Sequence, residues 1–334
     1  MGKPANPVPR ALVADIGGTN ARFALADLAT LDLSEIRQFS CAEHASIEAA
    51  ARTYLAGVKE HPCQGAVAVA APLIGGEIKL TNSAWSFTAE GLAGAASLDD
   101  ILLLNDFEAL ALSLPHLHAE ELHRIGGGAP APQATKVVLG PGTGIGVAGL
   151  VWSGAGWIAV PSEGGHVSLA AHTRHEFELI ERLRGARGHL SAERVLSGPG
   201  LADLYRVVAD THGVPAPQLQ PNDVLTRGVS GHDPLAVEAL ALFVTWLGAF
   251  AGDVALAFCA RGGVYLGGGI APKIVSALSQ GAFRQAFEGK GRMRSLLAPI
   301  PASVILAEFA TLRGAAAGLR ANARPPARPA RPLT

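Results

Sequence analysis

The chain has few cysteines and few charged residues for its length. Cysteine occurs three times in 334 residues, as Cys41, Cys63 and Cys259, and no two form a Cys-x-x-Cys pair. This excludes a disulfide framework and a cysteine zinc site, and it favours a reduced, cytoplasmic compartment. Charged residues make up only 16% and balance closely, with 27 Lys and Arg against 28 Asp and Glu. We therefore expect no nucleic-acid partner and no anionic membrane surface as partner.

A long hydrophobic run is also missing. The longest apolar stretch, residues 239–252, is closed by Glu238 and Asp253. A membrane-spanning helix needs about 20 apolar residues, so this stretch predicts a buried core helix. Residues 1–10 lack the apolar segment of a signal peptide, so we expect no signal peptide there.

Glycine is the residue in excess, with 40 of 334. Residues 15–20 read Asp-Ile-Gly-Gly-Thr-Asn between predicted strands at 11–14 and 21–25. The same strand, glycine turn and strand recur at 136–151, where residues 140–146 read Gly-Pro-Gly-Thr-Gly-Ile-Gly. Either turn alone is an ordinary hairpin or a phosphate cradle, because glycine lets backbone N–H groups approach phosphate oxygens. Their repetition favours two hairpins that hold one polyphosphate.

Other motifs for nucleotide binding, hydrolysis or metal binding are missing. The turn at 140–146 lacks the Gly-x-Gly-x-x-Gly spacing, and neither a P-loop nor a Gly-x-Ser-x-Gly elbow occurs. These absences disfavour a Rossmann enzyme, a P-loop NTPase and an α/β-hydrolase. His166, His172 and His175 lack the spacing of a zinc site. A third glycine turn, at 267–269, either approaches a purine or only connects a strand to a helix.

The order of predicted elements indicates an α/β protein. The unbroken apolar runs at 65–70 and 101–104 suit strands buried on both faces of a parallel sheet. Strands alternate with helical stretches, as at 46–58, 176–183 and 201–209.

The repeated layout predicts two lobes. We expect a small α/β domain at 1–115, completed by a C-terminal helix at about 308–322, and a large α/β domain at 116–307. The Arg- and Pro-rich segment 323–334 has the composition of a disordered tail.

Polar residues follow the predicted strand at 101–104, where ligands of open α/β sheets gather. Asp106 is placed there as a general base, and its alternative role is the N-cap of a helix that starts at Phe107. Asn105 stands beside it. In the first glycine turn, Asp15 could hold Mg²⁺ directly or through water.

A second polar group follows the predicted strand at 157–160. Glu163 and His166 flank two glycines, which favours a ligand site over a solvated loop. Glu193 has the plain interpretation of a first-turn acid on a helix. Arg22 and Glu108 are interpreted as structural or solvated.

Taken together, these segments resemble the bacterial ATP-dependent glucokinases of the actin, sugar-kinase and heat-shock ATPase superfamily. The stretch that begins Ser-Ala-Glu-Arg at residue 191 carries the most specific resemblance. The matching segments occur in the family's order, at 14–25, 104–110, 139–147, 163–167 and 191–201. The resemblance implies a two-lobed actin-like ATPase (ribonuclease H-like) α/β fold with an interdomain cleft, in the zinc-free branch, and a homodimer.

The same resemblance implies the reaction, the transfer of the γ-phosphoryl group of ATP to the 6-hydroxyl of glucose, and the residues that carry it. Asp106 would be the base that accepts the hydroxyl proton. The sugar would be held by Asn105, Asp106, Gly144, Glu163, His166 and Glu193. ATP, with its Mg²⁺, would be held by Ala14, Asp15, Ile16, Gly17, Gly18, Thr19, Asn20, Gly142, Thr143, Gly144, Gly267, Gly268 and Gly269.

Two departures from the family pattern flank the implied sugar residues. Ser162 stands where the family commonly has Gly, and Ser168 with Leu169 stands where it has Asp-Phe. A kinase for another hexose or amino sugar therefore remains an alternative, as does a non-catalytic sugar sensor. Retention of Asp106 favours the enzyme.

Overall fold

Two mixed sheets, each containing a hairpin with a glycine turn, organise the chain. The computed structural model describes residues 10–73, 75–80, 85–186 and 188–322, and the predicted tail at 323–334 lies outside them. The chain divides into two compact units. The first takes the described residues up to Leu117, Trp152–Ala159 and those from Glu308 onward, and the second takes His118–Val151 and Val160–Ala307.

The strands form a five-stranded, a six-stranded and a two-stranded sheet. In chain order they are β1 (Arg10–Ile16), β2 (Asn20–Asp27), β3 (Leu33–Ser40), β4 (Gln64–Val69), β5 (Ile78–Lys79), β6 (Ser86–Phe87), β7 (Asp100–Asn105), β8 (Leu122–Gly126), β9 (Lys136–Pro141), β10 (Ile145–Trp152), β11 (Trp157–Ser162), β12 (Gly263–Leu266) and β13 (Ala302–Ile305). The sheets run β3-β2-β1-β4-β7, β11-β10-β9-β12-β13-β8 and β5-β6.

Helices alternate with these strands; they cover the predicted stretches at 176–183 and 201–209 and most of the one at 46–58. They are α1 (Ile47–Ala56), α2 (Ala89–Ala96), α3 (Asp106–Ser113), α4 (Arg174–Arg184), α5 (Ala192–Val195), α6 (Gly198–Thr211), α7 (Pro221–Ser230), α8 (Pro234–Ala257), α9 (Val275–Leu278), α10 (Ala282–Glu288), α11 (Arg294–Leu297) and α12 (Ala310–Asn322). Short 3-10 turns include Gly164–His166 and Ala271–Ile274.

The first unit is built on β1. This strand pairs antiparallel with β2 and parallel with β4, and β4 pairs parallel with β7. The parallel core explains the apolar run at 65–70, because β4 lies between β1 and β7 and is buried on both faces. The expectation of burial on both faces is wrong for 101–104, because these residues belong to the edge strand β7, where Leu104 is buried and the three leading residues are half-buried. Helix α12 contributes Leu312, Ala315 and Leu319 to one core cluster of this unit, together with Ala109 of α3. The carboxyl ends of β1 and β7 carry Asp15 and Asn105.

The second unit is built around the hairpin β9–β10 and the long helix α8. Strand β9 pairs antiparallel with β10 and parallel with β12. Helix α8 is long and apolar enough to span a membrane by length and composition alone, yet 67% of its apolar window is buried in the protein. Phe243, Trp246 and Leu247 are fully buried. The predicted core helix is confirmed.

Candidate active site

The first glycine turn connects β1 to β2, as the sequence predicts. The backbone N–H of Gly17 donates to the Asn20 carbonyl at 2.9 Å and closes a tight turn. Thr19 and Asn20 are exposed at its tip. The Gln38 amide donates to Asn20 Oδ1 at 3.3 Å, which orients that side chain. The turn therefore presents backbone groups and short polar side chains to solvent.

Asp15 is the first residue of the segment 15–20 and the second-last residue of β1. Its carboxylate is 21% exposed and lies 3.5 Å from Nη1 of Arg22. Burial raises the pKa of Asp15, and the neighbouring Arg22 guanidinium offsets part of that increase. Arg22 is thus a structural partner of Asp15, as expected. Retaining a negative charge at Asp15 is costly, and an added cation would lower that cost.

Helix α3 begins at Asp106, and its N-cap is Asn105. The Oδ1 atom of Asn105 accepts from the N–H groups of Phe107 at 3.0 Å and Glu108 at 3.4 Å. The Glu108 carboxylate accepts from the Asn105 N–H at 3.3 Å, which completes a capping box. The alternative role of Asp106 as N-cap of a helix starting at Phe107 is therefore wrong, because the helix starts one residue earlier. Asn105 and Glu108 perform the capping.

The Asp106 carboxyl is not the cap of this helix, and its hydrogen bond is to the next residue of the chain. It accepts from the Phe107 N–H at 2.9 Å. Burial, and then the negative charge of Asp15, raise its pKa to about 7, against the lowering effect of hydrogen bonds from the backbone and from the Asn105 side chain. A carboxyl with a pKa near the working pH is suited to proton transfer, because it is partly ionised and still basic.

The second glycine turn connects β9 to β10. The Gly142 N–H donates to the Gly144 carbonyl at 2.7 Å. The N–H of Gly198, the first residue of α6, donates to the Gly142 carbonyl at 2.8 Å. This hairpin is thus tied to the start of a helix, and Thr143 lies at its tip.

The third glycine turn, at 267–269, packs against the second. The Gly267 N–H donates to the Leu139 carbonyl at 2.9 Å, and the Ile270 N–H donates to the Pro141 carbonyl at 3.1 Å. Gly268 has a φ of +75°, and a Cβ there would overlap the Pro141 carbonyl. Only glycine suits this close approach. The structure therefore brings together two of the turns that the sequence singled out.

A cavity of about 520 Å³ lies beside these two turns in the second unit. Gly142, Thr143 and Gly269 line it, as do the apolar side chains Leu201, Leu225 and Ile270.

The same cavity contains polar residues that the sequence analysis missed. Gln220, Asn222 and Lys273 line it, and Lys273 Nζ donates to Asn222 Oδ1 at 3.1 Å. Lys273 follows the third glycine turn by four residues, which was a weak indication of a site. Asn222 stands at the start of α7 without any local motif. An apolar cavity with a few polar groups is the usual form of a small-molecule site.

A histidine between two acids forms the other cluster of the second unit. Nε2 of His166 lies 3.7 Å from the Glu163 carboxylate, and its Nδ1 lies 3.9 Å from the Glu193 carboxylate. Glu163 precedes the 3-10 turn Gly164–His166, and Glu193 lies in the first turn of α5. Glu193 is therefore a first-turn acid, as interpreted, and its side chain also faces the histidine. The side chains of Glu163 and His166 are 66% and 59% exposed, so a ligand can reach both.

The two departures from the family pattern support this cluster. Ser162 Oγ accepts from the Gly164 N–H at 2.9 Å and orders the turn between the acid and the histidine. His189 Nε2 donates to the His166 carbonyl at 3.0 Å, and its Nδ1 lies 3.5 Å from Ser168 Oγ. His189 is a supporting residue that the sequence analysis missed.

Gly144 lies against Glu193. A Cβ at Gly144 would overlap the Glu193 carboxylate. The next residue, Ile145, donates its N–H to Glu193 Oε2 at 3.2 Å. Glu193 therefore contacts both the cluster at His166 and the second glycine turn.

The chain matches a known protein family over nearly its whole length. The family model described as glucokinase matches residues 12–322. The chain is 44% identical to a glucokinase of Mesorhizobium japonicum over 310 residues, which cover 92% of this chain and 91% of that protein. It is 43% identical to a glucokinase of Chromobacterium violaceum over 320 residues, which cover 96% and 92%.

Solved structures share its fold. A crystal structure of a glucokinase from an Antarctic psychrotroph has a TM-score of 0.84 and 37% identity, over 94% of this chain and 99% of that one. A ROK family glucokinase from Streptomyces griseus, 18% identical, has a TM-score of 0.64 over 92% and 98%. The predicted actin-like α/β fold is confirmed. The chain belongs to the glucokinase family, whose members are ATP-dependent hexose kinases.

Proposed function

We propose that this protein is a glucokinase that transfers the γ-phosphoryl group of ATP to the 6-hydroxyl of glucose and releases ADP. The observation that carries the proposal is the Asp106 carboxyl at the start of α3. Asn105 and Glu108 cap the helix, and the pKa of Asp106 is raised to about 7. A group in this state accepts a proton at neutral pH, as phosphoryl transfer to a hydroxyl requires.

Glucose is bound by Glu163, His166 and Glu193, with the Asn105 amide beside Asp106. Carboxylates accept hydrogen bonds from hydroxyls, and an imidazole donates at one nitrogen and accepts at the other. The exposed face of the acid–histidine–acid cluster therefore suits a polyol. Ser162 and His189 support the proposal because they hold the backbone at Gly164 and at His166 itself.

ATP is bound by the three glycine turns. The turns at 15–20 and 142–144 offer backbone N–H groups to the phosphates, and Gly144 also borders the sugar site. The cavity beside residues 267–269 takes the adenosine, with Leu201, Leu225 and Ile270 as apolar walls and Asn222 and Lys273 as polar groups.

The donor set fits Mg²⁺ bound together with the nucleotide. Within the described residues no group of three or more His, Cys, Asp or Glu side chains could hold a metal ion. Mg²⁺ commonly binds through one or two carboxylates and the substrate's phosphates, so Asp15 suffices, directly or through water. When bound, Mg²⁺ would neutralise part of the negative charge of the phosphates.

The reaction follows from these assignments. Asp106 removes the proton of the 6-hydroxyl as that oxygen forms a bond to the γ-phosphorus, and the bond from phosphorus to the β–γ bridging oxygen breaks. The proton resides on Asp106 until solvent takes it, and ADP leaves with the electron pair of the broken bond. The raised pKa of Asp106 favours this proton uptake.

The family resemblance also leads us to expect a cytoplasmic homodimer. Light scattering on the purified protein measures the mass directly. A mass near twice 34.2 kDa is expected, and a mass near 34.2 kDa contradicts the dimer.

A panel of sugars tests the proposed reaction. ATP- and Mg²⁺-dependent ADP release is measured with glucose, mannose, fructose and N-acetylmannosamine. A strong preference for glucose is expected. Equal turnover of several hexoses would agree with a hexose kinase but would contradict a specificity for glucose. Glucose binding without turnover of any sugar would indicate a sugar sensor and overturn the assignment of Asp106.

A further inference from the structure

Glu193 contacts two different parts of the second unit with its two carboxylate oxygens. Oε2 accepts from the backbone N–H of Ile145 at 3.2 Å, at the point where the second glycine turn enters β10. Oε1 lies 3.9 Å from Nδ1 of His166. One side chain thus links the proposed sugar site to the proposed phosphate turn.

The contact at the turn leaves no spare space. A Cβ on Gly144 would overlap the carboxylate and would lie within 3 Å of its Cδ atom. The turn can therefore approach Glu193 only because residue 144 is glycine. A carboxylate that rotates away from the turn gives up its hydrogen bond to the Ile145 N–H, and a carboxylate held in place keeps that N–H fixed.

The support beneath Glu193 is rigid. The flanking residues of α5, Ala192 and Val195, are fully buried. The Ala192 N–H donates to the carbonyl of Val167, the residue after His166, at 2.8 Å. The Ser191 side chain accepts from the Arg194 N–H at 3.3 Å and caps the helix. The backbone at Glu193 is thus fixed relative to His166, and side-chain rotation is its main freedom.

We propose that Glu193 is a positioning residue that couples sugar binding to nucleotide binding. This inference rests on the proposed function. A glucose hydroxyl that binds Oε1 holds the carboxylate in one rotamer, and that rotamer holds the Ile145 N–H and the turn at 142–144 in the conformation that receives phosphates. The protein loaded with glucose therefore binds the nucleotide more tightly than the free protein does.

Coupling of this kind has a measurable size and is reciprocal. A coupling between two sites typically changes each affinity by about 5- to 150-fold, and each ligand changes the other's affinity by the same factor. At saturating sugar the factor does not depend on how tightly the sugar binds. It therefore separates a positioning role from a simple loss of sugar affinity.

The experiment measures the dissociation constant of a non-hydrolysable ATP analogue with Mg²⁺ by calorimetry, with and without saturating glucose. The ratio of the two constants is the coupling factor. Glu193→Asp keeps the charge but is one methylene shorter, so it cannot reach both contacts. Glu193→Gln keeps the size and has one acceptor oxygen instead of two. Glu163→Gln is the matched control, because Glu163 faces the same histidine and has no described contact with the turn.

We expect a factor of at least about 5 for the wild-type protein. It should fall to about 1 in Glu193→Asp and be reduced in Glu193→Gln, while Glu163→Gln keeps the wild-type factor despite weaker glucose binding. The proposal is overturned if an active wild-type protein has a factor of 1. It is also overturned if both Glu193 variants, folded by circular dichroism, keep the wild-type factor, or if Glu163→Gln loses it equally. A wild-type protein that neither binds nor phosphorylates glucose would overturn the proposed function itself.

Discussion

The negative charge of Asp15 raises the pKa of the Asp106 carboxyl. Asp15 is the second-last residue of β1, and Asp106 directly follows β7 as the first residue of α3. Strands β1 and β7 lie on either side of β4 in the same sheet. Burial is the larger cause of the raised pKa, and the like charge adds to it. An acid that could merely cap a helix thereby becomes a base suited to neutral pH.

The pH dependence of kcat/KM follows from this pair. Asp106 must be ionised to accept a proton, so activity should rise with pH through an apparent pKa of about 7. Below it, kcat/KM should fall about tenfold per pH unit. Asp15→Asn removes the like charge. It should therefore move the acidic limb of the pH profile, the part over which kcat/KM rises, to lower pH, whatever its effect on the maximum rate. A limb that stays in place in Asp15→Asn, measured by steady-state kinetics from pH 5 to 9, would disprove the coupling of the two acids.

Stability should depend on pH in the opposite sense. Folding raises the pKa of Asp106 from 3.8 to about 7. The folded state therefore disfavours ionisation of this carboxyl. Its contribution to the free energy of unfolding is fully present below pH 3.8 and is lost as the pH rises through about 7. Asp106→Asn cannot ionise, so its melting temperature should exceed that of the wild-type protein by several degrees at pH 8, because each pKa unit corresponds to about 1.4 kcal/mol.

The same comparison at pH 4 supplies the control. The difference between Asp106→Asn and wild type should nearly vanish there, because the wild-type carboxyl is then protonated in the folded state. Asp100→Asn, at an exposed acid at the start of β7, should show no such pH-dependent gain. A constant difference at both pH values would argue against a raised pKa at Asp106.

Asn105 allows the capping role to be separated from the chemistry. Asn105→Ala removes the N-cap and should lower stability by about 1 kcal/mol. Asn105→Asp keeps a good cap but replaces the amide that lowers the pKa of Asp106 with a negative charge. It should leave stability at pH 5 nearly unchanged and move the acid limb of kcat/KM to higher pH. Denaturant melts and pH profiles of both variants distinguish the two roles.

Lys273 should serve the nucleotide alone. Lys273→Ala removes a positive charge from the cavity beside residues 267–269 and should raise the KM for ATP by about tenfold, the size of one charge-assisted hydrogen bond. The KM for glucose should not change. Lys59→Ala, at an exposed lysine of the first unit, is the control. An unchanged KM for ATP in Lys273→Ala would remove this lysine from the nucleotide site.

Local patterns explain why much of the fold was predictable. A pair of glycines between small and β-branched residues specifies a hairpin, and the unbroken apolar run at 65–70 specifies a buried parallel strand. The run at 101–104 forms a parallel strand too, but at the edge of the sheet. The N-cap was misplaced by one residue although Asn105 and Glu108 have the Asn-x-x-Glu spacing of a capping box. That spacing was the indication that the sequence analysis overlooked.

The remaining site residues were not predictable from local pattern because distant segments bring them together. Asn222 and Lys273 are 51 residues apart in sequence and meet through a hydrogen bond. His189 supports His166 from 23 residues away. Such contacts depend on how the helices and turns of the second unit pack, and no spacing along the chain encodes them.

The most direct measurement is the turnover of glucose by Asp106→Asn at saturating ATP, Mg²⁺ and glucose, beside wild type and Asp100→Asn. Asn is nearly isosteric with Asp but cannot accept the proton. We expect turnover to fall at least about 100-fold while glucose still binds, since a positioned base contributes about 10²–10⁴-fold. Asp100→Asn should retain the wild-type rate. Near wild-type turnover by Asp106→Asn would contradict the role of Asp106 as the catalytic base.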